Sequence, residues 1–278
     1  MNMTIQFLAG FLAAILISLL AYWSRSLSRS GAFSAVIIGS LIFGFGGWRW
    51  ALILLAFFIS SSLLTRLFQR RKAEVTEKFA KGGQRDAGQV LANGAIPAVL
   101  AMVNLFFPTA SWTWWVFAAS VAAVNADTWA TELGVLNPTP PRLITSGKPV
   151  EKGSSGAISP FGLLAALGGA GLIALLSVLL EPAPSSETSA WFAFTAVCLA
   201  GLLGALFDSL LGATVQGIYF CPQCKKETER HPVHLCGAST SLRRGWKWLD
   251  NDAVNATCSA CGAILCLFFY LIVQGLSR

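Results

Sequence analysis

The chain has 278 residues, of which 55% are hydrophobic and only 12% are charged, and its mean hydropathy is +0.63. Soluble domains contain about 25% charged residues, so this composition excludes an ordinary soluble protein and indicates a chain that lies mostly in lipid. The net charge of +7 is better explained by membrane orientation and headgroup contact than by a nucleic-acid surface.

Eight apolar stretches follow one another along the chain, separated by short polar or Gly- and Pro-containing segments. A transmembrane α-helix needs about 20 mostly apolar residues, so each stretch predicts one spanning helix. In chain order the predicted helices are Ile5–Tyr22, Phe33–Phe45, Trp48–Leu64, Ala87–Phe107, Trp112–Leu136, Phe161–Leu180, Ala190–Ala213 and Ala253–Val273. We therefore expect an all-α, polytopic helical bundle that forms a single transmembrane domain over residues 1–278, with a small cytoplasmic Cys/His loop at residues 214–250.

Lys and Arg are distributed unevenly between the two sides of these helices. Of the 20 basic residues, 18 lie in alternate loops, which leaves only Arg49 and Arg278 on the opposite side. Because Lys and Arg are enriched in loops that stay in the cytoplasm, the basic loops are predicted to face inward and both termini outward. We expect an integral, multi-pass protein of a bacterial cytoplasmic membrane.

Polar residues gather at the predicted cytoplasmic ends of four helices. The four groups are Arg85, Asp86, Gln89 and Asn93; Asn125, Asp127, Thr128, Thr131 and Glu132; Asp208 and Ser209; and Asn251, Asp252 and Asn255. A carboxylate in an apolar segment costs about 2.5–3.5 kcal/mol, so it normally faces a cavity, a partner or an ion. Asp127 and Asp208 are the clearest cases, although headgroups, water or a neighbouring Arg can also satisfy a helix-end carboxylate. Asp127 and Glu132 are five residues apart, so both reach one site only if the helix unwinds or the site lies between helices.

The loop Pro140–Gly162 is rich in Gly, Ser and Thr and contains Lys148 and Lys152. These residues allow close backbone approach and supply hydroxyl donors and positive charge, as a phosphate-binding loop requires. The loop is not a Walker A motif, because the required upstream glycine is absent and Lys148 is followed by Pro149. A flexible connector has a similar composition, but carboxylates suited to Mg²⁺ elsewhere in the site favour phosphate binding.

A second kind of metal site is predicted in the segment between the last two helices. Cys221, Cys224, His234 and Cys236 have the residue types and spacing of a tetrahedral zinc knuckle, with His231 as a substitute ligand. Such a zinc ion would be structural, because four protein ligands leave no open position. The alternative is a set of free thiols in a reducing cytoplasm. Cys258 and Cys261 repeat the CxxC spacing inside an apolar segment, which favours helix packing.

Six strings together are similar to a known family. They are KGGQRDAGQVLANG (Lys81–Gly94), NADTWATELG (Asn125–Gly134), PRLIT and GSSGAIS within Pro140–Ser159, FDSLLGATVQ (Phe207–Gln216), the CxxC and HLCG loop, and RGWKWLDNDAVN (Arg244–Asn255). They resemble the membrane family filed as domain of unknown function 92, which includes transmembrane protein 19 and the phytyl-phosphate kinases of plants and cyanobacteria. The resemblance implies phosphorylation of an isoprenoid monophosphate by a nucleoside triphosphate, and a distant similarity to membrane cytidylyltransferases and CTP-dependent polyprenol kinases.

The residue types fit such a kinase, because phosphoryl transfer depends on positioning and charge neutralisation. Asp127 and Asp208, with Asp252 as a further candidate, are predicted to hold Mg²⁺. Arg85, Lys148 and Lys152 are predicted to hold phosphates. The predicted substrate-binding residues are Asp86, Gln89, Asn93, Asn125, Glu132, Ser209, Asn251, Asp252 and Asn255. The prenyl tail would lie between helices in the lipid bilayer.

Two other functions remain open at this point. A CTP-dependent nucleotidyltransferase acting on a lipid phosphate would use the same carboxylates but release pyrophosphate. A transporter or flippase of phosphorylated lipids would usually place its site near the bilayer midplane, often between repeated halves. The displacement of the polar residues towards the predicted cytoplasmic side favours an enzyme.

Overall fold

A computed structural model describes residues 2–72, 83–181 and 189–276, and eight α-helices make up most of these ranges. They are α1 (Met3–Trp23), α2 (Arg29–Gly46), α3 (Trp48–Lys72), α4 (Ala87–Val103), α5 (Ser111–Gly134), α6 (Pro160–Leu179), α7 (Ala190–Thr214) and α8 (Asn251–Leu276). Each of the eight predicted apolar segments forms a helix, so the predicted helical membrane bundle is confirmed, although the fourth and fifth helices end at Val103 and Gly134, before the predicted Phe107 and Leu136.

The helices differ in how well they suit a lipid environment. Within the described ranges, α1, α2, α3, α6, α7 and α8 are long and apolar enough to cross a membrane. Helix α4 is shorter, with 17 residues, and contains Pro97. Helix α5 has 24 residues but a more polar sequence, because its neighbours rather than lipid surround it: residues 113–126 are all buried.

Helix α5 is the centre of the bundle and packs against α3, α4, α6, α7 and α8. Small residues allow this close approach. A Cβ added at Gly204 of α7 would come within 2.7 Å of the Ala123 Cβ, and one at Gly262 of α8 within 2.8 Å of the Ala119 carbonyl oxygen. Towards the start of α5, the rings of Trp50, Trp114 and Phe117 fill the core.

Short strands interrupt the predicted loops. The segment between α5 and α6 is a hairpin of β1 (Arg142–Leu143) and β2 (Ala157–Ile158), which pair antiparallel. Between α7 and α8 the chain forms an antiparallel sheet in the order β4-β3-β5, from β3 (Ile218–Cys221), β4 (Lys226–Thr228) and β5 (Ser241–Arg244). Residues 214–250 are called the Cys/His lobe below. Both segments cover the end of the bundle at which α3, α5 and α7 end and α4, α6 and α8 begin, called the polar end.

Candidate functional site

A polar cavity of about 360 Å³ lies at the polar end, between the helix ends, the β1–β2 hairpin and the Cys/His lobe. The helix ends that surround it come from separate parts of the chain. Ten of the residues predicted for the site lie in its wall: Arg85, Gln89, Asn93, Asp127, Glu132, Lys152, Asp208, Ser209, Asn251 and Asn255. The fold therefore brings together polar residues that are up to 170 positions apart in sequence, from 85 to 255.

Three carboxylates of this wall interact electrostatically. Asp208 of α7 is half-buried and lies near both Asp127 of α5 and Glu229 of the Cys/His lobe. Like charges that share a partly buried cavity favour the binding of a cation. The oxygen donors present suit Mg²⁺, which is typically held by one or two carboxylates together with water and substrate phosphates. Asp127 and Asp208, joined by Glu229, are the residues that fit this role.

Helix α5 stays regular through Asp127 and Glu132, yet both residues line the cavity. This is possible because the cavity lies between helices rather than on one face of α5. Glu132 is buried, with 5% exposure, and accepts a hydrogen bond from Thr65 Oγ1 of α3 at 2.8 Å. Of the two arrangements left open by the sequence, the structure has the site between helices and no unwound turn in α5.

Arg85 is held in place through both its backbone and its side chain. Its backbone N–H donates to the Ser26 carbonyl oxygen and its own carbonyl accepts from Ser28 N–H, both at 3.0 Å. Its guanidinium carbon lies 5.2 Å from the Phe57 ring centroid, and Nη2 donates to Ser61 Oγ at 2.8 Å. Burial lowers the pKa of Arg85 to about 10, an effect that the Glu132 carboxylate opposes, so the side chain stays protonated at neutral pH.

The β1–β2 hairpin adds backbone and hydroxyl groups to the cavity. Residues 152–159 line it, including Ser154, Ser155 and Ser159. Gly156 has φ +80°, and a Cβ there would lie 2.3 Å from the Ala213 nitrogen, so glycine is required where the hairpin rests on α7. Lys152 Nζ lies in the same wall and donates to the Val135 carbonyl oxygen at 3.3 Å.

Four predicted site residues lie outside the cavity wall. Lys148 is exposed on the turn between β1 and β2, because its backbone accepts a hydrogen bond from Leu143 N–H and holds that turn away from the helices. Asp86 caps α4: its Oδ1 accepts from Gln89 N–H at 3.0 Å. Asn125 is fully buried. Its Nδ2 donates to the Gly169 carbonyl oxygen, and its Oδ1 accepts from Ser60 Oγ. Asp252 lies in the first turn of α8 beside the lining residue Asn251 but does not itself line the cavity.

The Cys/His lobe contributes two wall residues that were not predicted from the sequence. They are Gln216 and Glu229, and Gln216 Nε2 donates to Glu229 Oε1 at 3.0 Å. Ser155 Oγ of the hairpin donates to Gln216 Oε1 at 2.6 Å, so these contacts join hairpin and lobe over the cavity. Gln216 is the last residue of the FDSLLGATVQ string, so its place in a family motif could have identified it as a site residue. Glu229 is one charge in a polar loop and carries no such signal.

The structure also brings together the four residues of the predicted zinc knuckle. The ligand atoms of Cys221, Cys224, His234 and Cys236 all lie within 4.8 Å of one another. The His234 Nδ1 is 3.3 Å from Cys236 Sγ and 3.6 Å from Cys224 Sγ. The Cys224 backbone N–H donates to Cys221 Sγ at 3.5 Å, which lowers the pKa of that thiol. His231, the predicted substitute, instead stacks on Tyr219 with ring centroids 4.6 Å apart.

Comparison with known proteins identifies one family of integral membrane proteins. The family described as "Integral membrane protein DUF92" matches residues 12–263. "Protein PGR" of Arabidopsis thaliana is 35% identical over 87% of this chain and 90% of its own length. "Uncharacterized membrane protein MJ0933" of Methanocaldococcus jannaschii is 35% identical over 77% of this chain and 84% of its own. "Protein VTE6, chloroplastic" of Arabidopsis thaliana is 26% identical over 87% of this chain and 64% of its own. No solved structure gives a significant match.

Proposed function

Because this chain belongs to the integral membrane protein family DUF92, we propose that it is a membrane kinase that converts a prenyl monophosphate to its diphosphate with a nucleoside triphosphate. The observation that carries the proposal is the polar cavity at one end of the bundle. It combines carboxylates for a cation, Asp127 and Asp208, with Arg85 and Lys152 for phosphates. The family resemblance described above is the reason for proposing a prenyl phosphate as the substrate.

The reaction forms one bond and breaks one. A phosphate oxygen of the prenyl monophosphate attacks the γ-phosphorus of the nucleotide, and the bond from that phosphorus to the β–γ bridging oxygen breaks. The nucleoside diphosphate leaves with the electron pair of that bond. A phosphate acceptor is already anionic near neutral pH, so the reaction requires no strong general base. Among the described residues that line the cavity there is no His, which is compatible with a reaction that needs no strong base.

The chain's own residues position the two phosphate groups. Arg85 is fixed by its backbone bonds and by the Phe57 ring, so its guanidinium presents a preorganised charge to the acceptor phosphate. Lys152 lines the same space, as do Gly153, Ser154 and Ser155, and this small, positively charged segment suits the nucleotide phosphates. Mg²⁺ held by Asp127, Asp208 and Glu229 would neutralise charge on the transferring group.

The position of the cavity supports an enzyme rather than a transporter. Its residues all come from the polar end, whereas the buried core of the opposite half of the bundle consists of apolar side chains such as Trp50, Trp114 and Phe117. A transported lipid phosphate needs polar groups or a path near the midplane. The positive-inside distribution of Lys and Arg favours a cytoplasmic position for the polar end, where nucleotides are available.

Transfer of labelled phosphate tests this proposal. The protein is purified in detergent and incubated with Mg²⁺, geranylgeranyl monophosphate and ATP or CTP labelled at the γ-phosphate. We expect labelled prenyl diphosphate, and a loss of about 100-fold or more in Asp127→Asn and Asp208→Asn, because charge stabilisation in the transition state is removed.

The matched control is Glu227→Gln. Glu227 is a carboxylate of the Cys/His lobe outside the cavity wall, paired with Arg243 at 3.2 Å on the surface. A surface pair contributes little to stability, so this variant should keep full activity. Equal losses in all three variants would show general damage rather than a carboxylate site. Labelled nucleotide on the lipid together with free pyrophosphate would favour nucleotidyl transfer.

A further inference from the structure

A second, apolar cavity of about 260 Å³ lies between α1, α2, α3 and the beginning of α4. Its walls combine small residues, such as Ala13 and Gly39, with large apolar ones, such as Phe43 and Trp48. The cavity is called the apolar groove below. From Phe58 to Trp48 along α3 it covers about 15 Å, or half of a ~30 Å hydrocarbon core.

The apolar groove and the polar cavity share one wall. Arg85, Gln89 and Asn93 line both. Two atoms of this shared wall are buried without a hydrogen-bond partner among the residues that the structure describes: Arg85 Nη1 and Asn93 Oδ1. Buried polar groups nearly always have partners, so the Nη1 donor indicates an acceptor group of a ligand at the junction, whereas Asn93 Oδ1, an amide oxygen, needs a donor.

We propose that the apolar groove binds the isoprenoid tail of the prenyl monophosphate, with its phosphate at Arg85. This inference rests on the proposed function and identifies where its lipid substrate lies. The charge of Arg85 fits an anionic head, and the apolar walls beyond it fit one long hydrocarbon chain. The small residues of α1 and α2 keep these helices close together, because a Cβ at Gly39 would lie 3.2 Å from the Ala14 Cβ. A cavity of about 260 Å³ suits a single chain better than a diacyl lipid.

Photo-crosslinking of the unaltered protein tests the location of the tail. Geranylgeranyl monophosphate with a diazirine on the isoprene unit farthest from the phosphate is irradiated with the protein in nanodiscs, without nucleotide. We expect adducts on residues of α1, α2 and α3 near Ala13 and Phe43, reduced by unlabelled geranylgeranyl monophosphate but not by phosphatidic acid. Adducts on the outer faces of α6 or α7, or equal competition by phosphatidic acid, would overturn the inference.

A pair of α1 variants tests the length of the groove. Ala13→Phe places a ring inside the groove, whereas Ala9→Phe adds the same ring at an exposed position outside its wall. Binding of tritiated geranylgeranyl monophosphate should weaken by about 10-fold or more in Ala13→Phe, the range expected for a poorly fitting apolar pocket. Binding of farnesyl monophosphate, which has a shorter tail, should weaken less in Ala13→Phe. The Ala9→Phe variant should bind both lipids as tightly as the wild type does. Equal effects of the two variants would contradict a groove that accommodates the tail.

Binding and turnover separate this inference from the proposed function. If binding depends on Ala13 but no phosphate is transferred, the groove holds the lipid and the kinase proposal fails. If phosphate is transferred and Ala13→Phe changes neither binding nor the preferred chain length, the kinase stands and the tail lies elsewhere.

An independent observation carries a second inference, on the Cys/His lobe. We propose that Cys221, Cys224, Cys236 and the Nδ1 atom of His234 hold one structural zinc ion. The Cys221 and Cys236 sulfurs are 3.5 Å apart, close to the separation of two thiolates that share a tetrahedral zinc ion with bonds of about 2.3 Å. His234 is buried, with 4% exposure, so its ring cannot turn freely away from the thiols.

Zinc at this position would order one wall of the polar cavity. Gln216 precedes β3, which ends at Cys221, and Glu229 directly follows β4. Both residues line the cavity, so the lobe must be held in one conformation for them to stay there. A structural zinc site contributes folding energy of this kind.

Metal analysis of the purified protein tests the zinc site without reference to activity. We expect about one zinc per chain by mass spectrometry of the metal, lost in Cys236→Ser and retained in Cys261→Ser, a half-buried cysteine of the other CxxC pair. Chelation should lower the melting temperature of the wild type and of Cys261→Ser only. Protein without zinc after growth in zinc-supplemented medium, or zinc retained in Cys236→Ser, would overturn this assignment.

Discussion

Arg85 shows how a single residue can join two environments in this protein. Its guanidinium carbon lies 5.2 and 5.6 Å from the centroids of the Phe57 and Phe58 rings, and the residue lines both cavities. Arg suits this position better than Lys, because its guanidinium is weakly hydrated, stacks on aromatic rings and keeps several donors in a fixed plane. The residue can therefore stay charged beside apolar walls.

Replacing Arg85 should affect the lipid substrate most. In Arg85→Gln we expect the KM for the prenyl monophosphate to rise by about 10- to 100-fold, as for the loss of a charged hydrogen bond of about 1.5–3 kcal/mol. The KM for the nucleotide should change less. Steady-state kinetics with each substrate varied in turn provides the measurement.

Arg25 offers the control for this prediction. It is an exposed arginine of the α1–α2 connection, outside both cavity walls. Arg25→Gln should leave both KM values unchanged. A larger increase in the nucleotide KM than in the lipid KM for Arg85→Gln would place this arginine at the nucleotide instead.

Individual residues differ in how far the sequence could predict them. Asp127 and Asp208 stand out because carboxylates are costly in apolar segments, and both line the cavity. Asn125 is polar in the same segment, but its amide is used to bind the α6 backbone at Gly169. The sequence shows that such a residue needs a partner and not whether that partner is the protein or a ligand. Glu229 has no apolar context, so nothing in the sequence separates it from a solvated loop charge.

At the scale of elements, the apolar segments predict the helices well because lipid requires every backbone group to be bonded within its own helix. Even α5, whose sequence is less apolar, was identified at Trp112–Leu136 and forms Ser111–Gly134. The short strands of the hairpin and the Cys/His lobe were not predicted. They have two to four residues each, too few for a recognisable alternating pattern, and they pair only within their own connecting segments. The apolar groove was also beyond prediction, because groove-lining and lipid-facing residues have the same composition.

Helix packing around α5 makes a prediction about stability. Gly204→Ala should lower the melting temperature, because the added Cβ would lie 2.7 Å from the Ala123 Cβ and 3.0 Å from the Cys258 carbonyl oxygen. Overpacking of this kind costs about 1–3 kcal/mol. Thermal unfolding in detergent measures the effect.

Gly171 of α6 supplies the matched control, since a Cβ there would meet no atom within 4 Å. Gly171→Ala should be neutral or slightly stabilising, because alanine has the higher helix propensity by up to about 1 kcal/mol. If Gly204→Ala were as stable as Gly171→Ala, α7 would not pack against α5 as closely as in this structure.

The whole molecule has two chemically distinct halves. The polar end contains the cavity, the hairpin and the Cys/His lobe, while the other end is apolar and closes around Trp50 and Trp114. Such a division suits a reaction between a lipid-soluble substrate and a water-soluble nucleotide. In the proposed reaction, the prenyl phosphate would reach the shared wall from the bilayer and the nucleotide would reach it from water.

This division predicts one orientation in the membrane. In bacterial cells, alkaline phosphatase fused to the C-terminus should be active and green fluorescent protein at the same position should be dark, because the positive-inside rule places this terminus outside. Fusions after Gly245, in the Cys/His lobe, should give the opposite result. A fluorescent C-terminal fusion would mean that the polar end faces away from the cytoplasmic nucleotides, which a kinase that uses them does not allow.

The nucleotide product tests the central claim most directly. Wild-type protein is incubated with Mg²⁺, geranylgeranyl monophosphate and an unlabelled nucleoside triphosphate, and all phosphorus species are followed by ³¹P NMR. We predict one nucleoside diphosphate formed for each prenyl diphosphate. Pyrophosphate formed together with a nucleotidylated lipid, or no lipid-dependent consumption of any nucleoside triphosphate, would contradict the assignment as a prenyl-phosphate kinase.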